Sequence, residues 1–471
     1  MNPTFVIIIS TLVLLAVVGI FSFIIGRLQR DSDNWMVGGR SLPVYVVAGT
    51  QFATGMGGGV LVAHVGIGYT SGWSALTYDL IYAIGVVIFI ILAKWLKEQN
   101  FTTMPEIIKK IYGDNKVMMS IVTLMSIIVP FGWLCTNLVA FGNMFSSITG
   151  LSFPLLVIVF AIISLIFVLP GGLTSVAWTD FIFGCMMVVM SVVSMIYALN
   201  MSGGWGHITQ TVSHHMTNFP KGMSAVGSTT ILFWILAILP GALTNQMSYQ
   251  RIYAAKSVGV AKQGFIIAAI VGLLSGAWAA FMGIAIHSMN PHLKDSEMAS
   301  GWFLTQIPTW FLALYSAFII ATIMSTVSSA LQSVVVNITK DIYQSYINAD
   351  VNDRKLLSLS RITTVIILIL SVILALTYPK ALGWLVATYA YSAVSLLVPI
   401  FAGFFLKNTQ FLTCQGAIGS MVIGILSAAA AQIIGTHIPY VAYGLIGSFI
   451  GLFVVSFLTK SKSKSDTVAR M

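Results

Sequence analysis

The sequence predicts an all-α integral membrane protein with about thirteen transmembrane helices. Three observations lead there. Of the 471 residues, 58% are hydrophobic and only 8% charged, with a mean hydropathy of +0.94. A chain this apolar must close its backbone polar groups inside helices or a barrel. Its apolar runs are about 20 residues long and continuous, which spans a bilayer as helix and excludes the alternation of a barrel. Basic residues then alternate by side. Of the 23 Lys and Arg, only Lys221, Lys294 and Lys380 fall on one face, and all the others fall on the opposite face. By the positive-inside rule the N-terminus lies outside and the C-terminus is cytoplasmic. The pI near 9.4 reflects this basic inner face, not nucleic-acid binding.

The spans are read at 4–27, 44–70, 74–96, 118–149, 153–170, 174–200, 227–248, 262–288, 305–338, 357–378, 381–406, 413–434 and 439–459. The first lacks a basic flank and a small-residue cleavage site, so it reads as a retained span, not a signal peptide. The second, VAGTQFATGMGGGVLVAHVGIGY, contains Gly55 and the run Gly57, Gly58, Gly59, a poor recipe for continuous helix. A break there frees carbonyls around Ala53 to Met56, as in transporters that bind ions and solute at a broken helix. A glycine-lined packing groove is the plainer reading. His64, one turn beyond, reads as a hydrogen-bonding or packing histidine before a proton relay. After the third span, a cytoplasmic connector carries a short helix begun by Pro105. The loop 201–226 is the longest external one. Its adjacent His214 and His215 lack further ligands, so no metal site is assigned to them. Cys135, Cys185 and Cys414 all sit in apolar segments and read as free thiols. The Lys/Ser-rich stretch after 460 reads as a disordered tail.

The ninth span carries the strongest chemical signal. Thr322, Ser325, Thr326 and Ser329 fall at i, i+3, i+4 and i+7, which puts four hydroxyls on one helix face, with Ser328 beside them. Such a row serves either close helix packing, with hydroxyls bonding back to the helix, or a neutral oxygen set for a small hard cation. Two acids lie within spans, Asp79 and Asp180, and intramembrane acids are functional candidates by default. No Lys or Arg is read in the middle of a span. There is no Walker loop, dinucleotide fingerprint, HExxH or paired CxxC, and no nucleophile–base constellation, so an enzyme is not indicated.

With these residues in view, the chain resembles the sodium:solute symporter family. The resemblance covers nearly the whole chain and rests on WMVGGRSLP (35–43), the glycine-broken second span, GGLTSVAWTDFI (171–182), QRIYAAKS (250–257) and IMSTVSSALQSVVVNITKDIY (323–343). It implies the leucine-transporter inverted repeat, five helices plus five, behind an extra first helix. A transporter domain would cover 1–460, with a peripheral segment at 4–27, one repeat at about 44–200 and the other at about 227–406. Two further helices would follow at 413–459, and then the tail 461–471. The family's main sodium site uses carbonyls of the broken helix and hydroxyls of the ninth span. Carried over, these are Ala53, Met56, Ser325 and Thr326, with Thr322 at a position that is often small. A second sodium, present in some members, would fall on Asp180, Ser328 and Ser329.

The departures narrow the substrate. The family's proline carriers have an acid where this chain has Gly55. Its sialate carriers have an arginine in the fourth span that is missing here. Their hydroxyls in the broken helix correspond to Gly55, Gly57 and Val60. The expected activity is sodium-driven import of a small organic solute by alternating access. Proton coupling on the same fold, or a sensor without flux, are the alternatives. Substrate contacts are expected from Gly57, Gly58, Asp79, Trp133, Phe233, Trp234, Tyr389 and Tyr391, with Tyr78 nearby. An acid among aromatic rings favours a cationic, zwitterionic or neutral solute over a simple anion. Asp79 has no evident partner in the sequence.

Overall fold

The computed structural model describes residues 3–27, 32–168, 172–409 and 411–468. Thirteen apolar helices follow one another close to the predicted bounds. They are α1 (Pro3–Arg27), α2 (Val44–Ser71), α3 (Ser74–Glu98), α4 (Lys116–Thr149), α5 (Phe153–Val168), α6 (Leu173–Met201), α7 (Ser228–Ala254), α8 (Val258–Met289), α9 (Thr309–Ile347), α10 (Asp353–Thr377), α11 (Ala381–Leu406), α12 (Cys414–Ile434) and α13 (Tyr440–Val468). Among the described residues, twelve helices are long and apolar enough to cross a membrane; α5, with 16 residues, is the short one. The end of the fifth predicted span (169–170), Gly171 of the WTD motif, and Arg30 and Arg470 of the basic set lie outside the described residues.

Local chemistry explains where the helices begin. Asn115 accepts the Met118 N–H at 3.1 Å to start α4, and Asn352 accepts that of Lys355 at 2.9 Å to start α10. Ser257 and Thr413 cap α8 and α12 in the same way, each meeting an N–H that the first turn leaves free. Pro105 opens the connector helix Pro105–Tyr112, as predicted. One expectation fails at the far end. α13 continues through residues read as a disordered tail, because no Gly or Pro between 461 and 468 interrupts it.

Two of the helices are discontinuous. α2 breaks at Gly57, with φ 29° and ψ −174°, and resumes through a π-helical stretch, Gly59–His64. A side chain at Gly57 would start 2.5 Å from the Thr326 hydroxyl, so glycine answers both the backbone angle and the close approach of α9. The second break was not predicted. α7 unwinds at Thr244–Asn245, just after Pro240, and resumes at Gln246, with Asn245 accepting the Met247 N–H at 3.1 Å. The seventh span therefore ends at Ala254, not at 248. Each five-helix stretch, α2–α6 and α7–α11, thus opens with a broken helix. Their ends are tied together, with Leu42 donating to the Ala254 carbonyl at 3.0 Å and Lys256 to that of Leu42 at 2.9 Å.

α9 is the buried axis of the bundle. Its residues Ile319 to Val336 are all buried, packed on α2, α4 and α6. α1 lies outside α9 and α6 with most of its apolar surface exposed, and α12 and α13 pair mainly with each other on another flank. The core therefore forms where the two broken helices meet α9.

Candidate functional site

The break in α2 releases backbone oxygens onto the hydroxyl face of α9. An unbroken helix would send the Gly58 N–H back to Thr54, four residues earlier. Here it donates to Asn137 Oδ1 on α4 at 2.8 Å, and the Thr54 carbonyl accepts from Thr326 Oγ1 at 2.9 Å. Ser325 Oγ donates to the Ala53 carbonyl at 3.0 Å. The Met56 carbonyl lies in the break and accepts the Gly59 N–H. Thr322 Oγ1 turns back to the Phe318 carbonyl at 2.7 Å, along its own helix. Buried neutral oxygens from two helices therefore converge at one place. A small hard cation accepts such a donor set, and sodium sites at unwound helices are built this way.

A second polar centre surrounds Asp180 on α6, which is fully buried. Its Oδ2 accepts from Thr50 at 2.7 Å, Ser329 at 2.9 Å and Thr54 at 3.3 Å. Ser329 joins Asp180 as the resemblance implied. Ser328 does not, because its Oγ donates to the Ser325 carbonyl at 3.0 Å, a third of a turn away from Ser329 around the helix. Thr50 and Thr54, four residues apart on α2, take part instead. Their spacing was the available signal and was missed.

Arg251 is the larger correction. It was read as an inner-face residue beyond the seventh span, with no cation inside the bundle. The α7 break carries the helix on, and Arg251 is 1% exposed. Its Nη2 donates to Ser329 Oγ at 2.6 Å and Thr54 Oγ1 at 2.7 Å, and stands 3.7 Å from Asp180 Oδ2. Its Nη1 is held by the Met247 carbonyl at 2.8 Å.

Next to these centres lies a cavity of about 30 Å³, with a lining that includes Gly55, Gly57, Tyr82, Asn137 and Tyr389. Of the predicted substrate contacts, Gly57, Asp79, Trp133 and Tyr389 line it, and so do Tyr78 and Thr326. Asp79 is not unpartnered: His64 Nδ1 lies 3.0 Å from its Oδ2, with both side chains buried. The histidine thus has the hydrogen-bonding place read for it. Trp234 stands behind the lining, with its ring 5.3 Å from that of Tyr78. Gly58 packs on Ala140 and Asn137 of α4.

Phe233 and Tyr391 lie elsewhere. Their rings are 5.4 Å and 6.0 Å from that of Tyr440 on α13, and Tyr391 donates to Gln432 on α12 at 2.6 Å. Helical period separates them: Phe233 precedes Trp234 by about 100°, and Tyr391 follows Tyr389 by about 200°. Tyr82, one turn after Tyr78, faces the cavity and was missed, although its i+4 spacing pointed there.

The loop before α9 adds one more buried acid. Glu297 accepts the N–H groups of Ala381 and Leu382, at 2.9 Å and 3.0 Å, and so caps α11. Burial raises its pKa against the pull of those two donors. Asp295 beside it pairs with Lys380 at 2.6 Å.

The sodium:solute symporter family model matches residues 35–424. The chain belongs to that family. A sodium/glucose cotransporter of Vibrio parahaemolyticus is 24% identical, over 93% of this chain and 86% of the relative. The osmoregulated proline transporter OpuE of Bacillus subtilis (strain 168) is 26% identical, over 93% and 91%. Among solved structures, a Na+-coupled sialic acid symporter superposes with a TM-score of 0.82 at 18% identity, covering 96% of this chain and 98% of that one. Mhp1, a nucleobase-cation-symport-1 family transporter in a closed conformation, superposes with a TM-score of 0.62 at 13% identity, over 92% and 96%. The fold of this sodium:solute symporter family member is therefore the leucine-transporter type, two five-helix repeats with an added first helix. It is a multi-pass membrane transporter, not an enzyme.

Proposed function

We propose that this protein imports a small organic solute by sodium-coupled symport. The observation that carries the reading is the meeting of Ser325 and Thr326 with the Ala53 and Thr54 carbonyls freed by the α2 break. Sodium would be held there, with the Met56 carbonyl alongside and Thr322 on the same helix face. The oxygens are neutral, so they bind a cation without a proton exchange, which favours sodium over proton coupling. The alternative second sodium at Asp180 meets competition from Arg251, whose guanidinium already brings a positive charge to that carboxylate. One sodium per cycle is the reading this pair favours.

The solute would occupy the cavity beside the break. Rocking of one repeat against the other would open it to each side in turn. An acid among aromatic rings suits a cationic, zwitterionic or neutral solute better than an anion. The membrane would be the cell membrane, with the N-terminus outside and the C-terminus cytoplasmic. A charge moving down 100 mV yields about 2.3 kcal/mol, enough for one sodium to concentrate a neutral solute about fiftyfold.

Thermal stability of the purified protein at constant ionic strength tests the ion. Sodium alone should stabilise the protein, at both pH 6 and pH 8. Equal stabilisation by potassium or choline, or a response to pH with none to sodium, would reject the reading.

A further inference from the structure

The connector between α3 and α4 is buried although it is not helical where it leaves α3. The chain turns there at Asn100, with φ 55°, a left-handed angle that asparagine tolerates. Phe101, Thr102, Thr103 and Met104 follow, and all four are buried. Backbone groups buried outside a helix need partners from elsewhere. Arg40 supplies two, donating to the Asn100 and Phe101 carbonyls, each at 3.0 Å. Glu106 accepts the Thr102 N–H at 2.7 Å, and Gln246, on the resumed half of α7, accepts that of Met104 at 2.9 Å. Thr103 Oγ1 donates to Asp341 Oδ1, near the end of α9, at 2.7 Å.

Two of these bonds join the repeats. The connector belongs to α2–α6, whereas Gln246 and Asp341 belong to α7–α11. Rocking of one repeat against the other must break or move both bonds. What lies behind them is polar and only partly satisfied. Gln246 Nε2, Gln250 Nε2, Asn337 Oδ1 and Asp341 Oδ2 are buried without a hydrogen-bond partner among the described residues. Gln246 and Gln250 stand one turn apart on α7, as do Asn337 and Asp341 on α9. Ser333 Oγ bonds Gln250 Oε1, and Asn337 Nδ2 bonds Ser126 Oγ of α4, so these faces meet. Ser329, Ser333, Asn337 and Asp341 follow at four-residue intervals, and Ser329 already bonds Asp180 and Arg251. A polar row therefore runs along α9 from the connector to the buried centre of the bundle.

We propose that Asp341 and Gln246 are positioning residues of the transport cycle, which hold the connector as a latch over this row. The latch closes the end of the bundle proposed to face the cytoplasm. With the connector in place, the row is shut off from water. When the connector lifts, water reaches the amides and the carboxylate, and the cost of burying them unmet is removed. Asp341 holds Thr103 through Oδ1 alone, so hydration competes directly for that carboxylate. A contact that served only to pack the loop would leave no such set of unmet groups beneath it. The row then forms the inner wall of the path that opens along α9, between α4 and the resumed half of α7.

The inference rests on the symport reading but fails separately from it. Two reporters in the full-length protein test it, each read by peptide mass spectrometry after labelling with a membrane-impermeant maleimide. Ser333→Cys lies in the row and is labelled from the connector side, in inside-out vesicles. Thr136→Cys lines the cavity further along α4 and is labelled from the opposite side, in right-side-out vesicles. Thr103→Val and Gln246→Met keep the bulk of each side chain and remove one latch bond each. Either change should speed labelling of Ser333→Cys about tenfold or more and slow that of Thr136→Cys. Unchanged labelling of Ser333→Cys would overturn the latch. Faster labelling of both reporters would also overturn it, because loosened packing opens both sides whereas a released latch exchanges one for the other. Reporters that shift as expected with the variants, yet respond identically in sodium chloride and choline chloride, would uphold the latch and remove the sodium reading. Should one variant fail to fold, the other decides alone.

Discussion

Arg251 and Asp180, 71 positions apart in the sequence, face each other at 3.7 Å in the buried centre of the bundle, bridged by the hydroxyls of Thr54 and Ser329. The pair joins the second half of one broken helix to α6, and its bridging hydroxyls come from the other broken helix and from α9. A buried charge without its partner is costly, of the order of 3–5 kcal/mol, whereas removing both charges costs far less. Arg251→Met and Asp180→Asn should each lower the thermal midpoint sharply, and the double variant should recover a large part of the loss. Additive losses in the double variant would mean that the two do not act as a pair.

The same pair bears on the proposed ion count. With a resident guanidinium at Asp180, sodium activation of wild-type uptake should follow a Hill coefficient near one. A coefficient near two that falls to one in Asp180→Asn would restore a second sodium at this carboxylate and set aside the single-ion reading.

The proposed ion site is tested by Ser325→Ala combined with Thr326→Ala. Both changes are small and leave the helix intact, so the protein should insert and fold. Sodium-dependent stabilisation and uptake should disappear. An unchanged sodium titration would place the ion elsewhere.

Gly57→Ala strikes the break itself. The backbone there has φ 29°, and the added carbon would meet Thr326 Oγ1 at 2.5 Å. Strain of this kind costs about 1–3 kcal/mol. Transport should fall at least tenfold even where the protein still accumulates in the membrane. Near-normal uptake would show that the break tolerates a side chain.

Glu297 carries a pH signature. Its carboxyl pKa lies above the ordinary value because of burial, so the folded state binds its proton more tightly than the unfolded chain does. Its contribution to stability is therefore fully present below the unfolded pKa and is lost as pH rises through the folded one. Wild-type protein should gain thermal stability on acidification through the mildly acidic range, and Glu297→Gln should lose that gain. An identical pH profile in the variant would remove Glu297 as the responsible group.

The sequence alone determined what depends on local composition and period. Apolar runs of bilayer length set the helices almost to their ends, because in lipid a backbone must bond to itself. The glycine run announced the α2 break, and the i, i+3, i+4, i+7 hydroxyls announced the face of α9 that meets it. Tertiary structure decided everything that required knowing which faces meet. Ser329 rather than Ser328 reaches Asp180, and Tyr389 rather than Tyr391 reaches the cavity. Each of these choices is a rotation of about 100° to 200° around a helix axis that no single-helix pattern can orient. The α7 break was hidden because Thr244 and Asn245 carry no glycine signal, and with it went Arg251, read as a surface cation. Its burial depends on an acid and two hydroxyls from three other helices, and only the packed bundle brings those together.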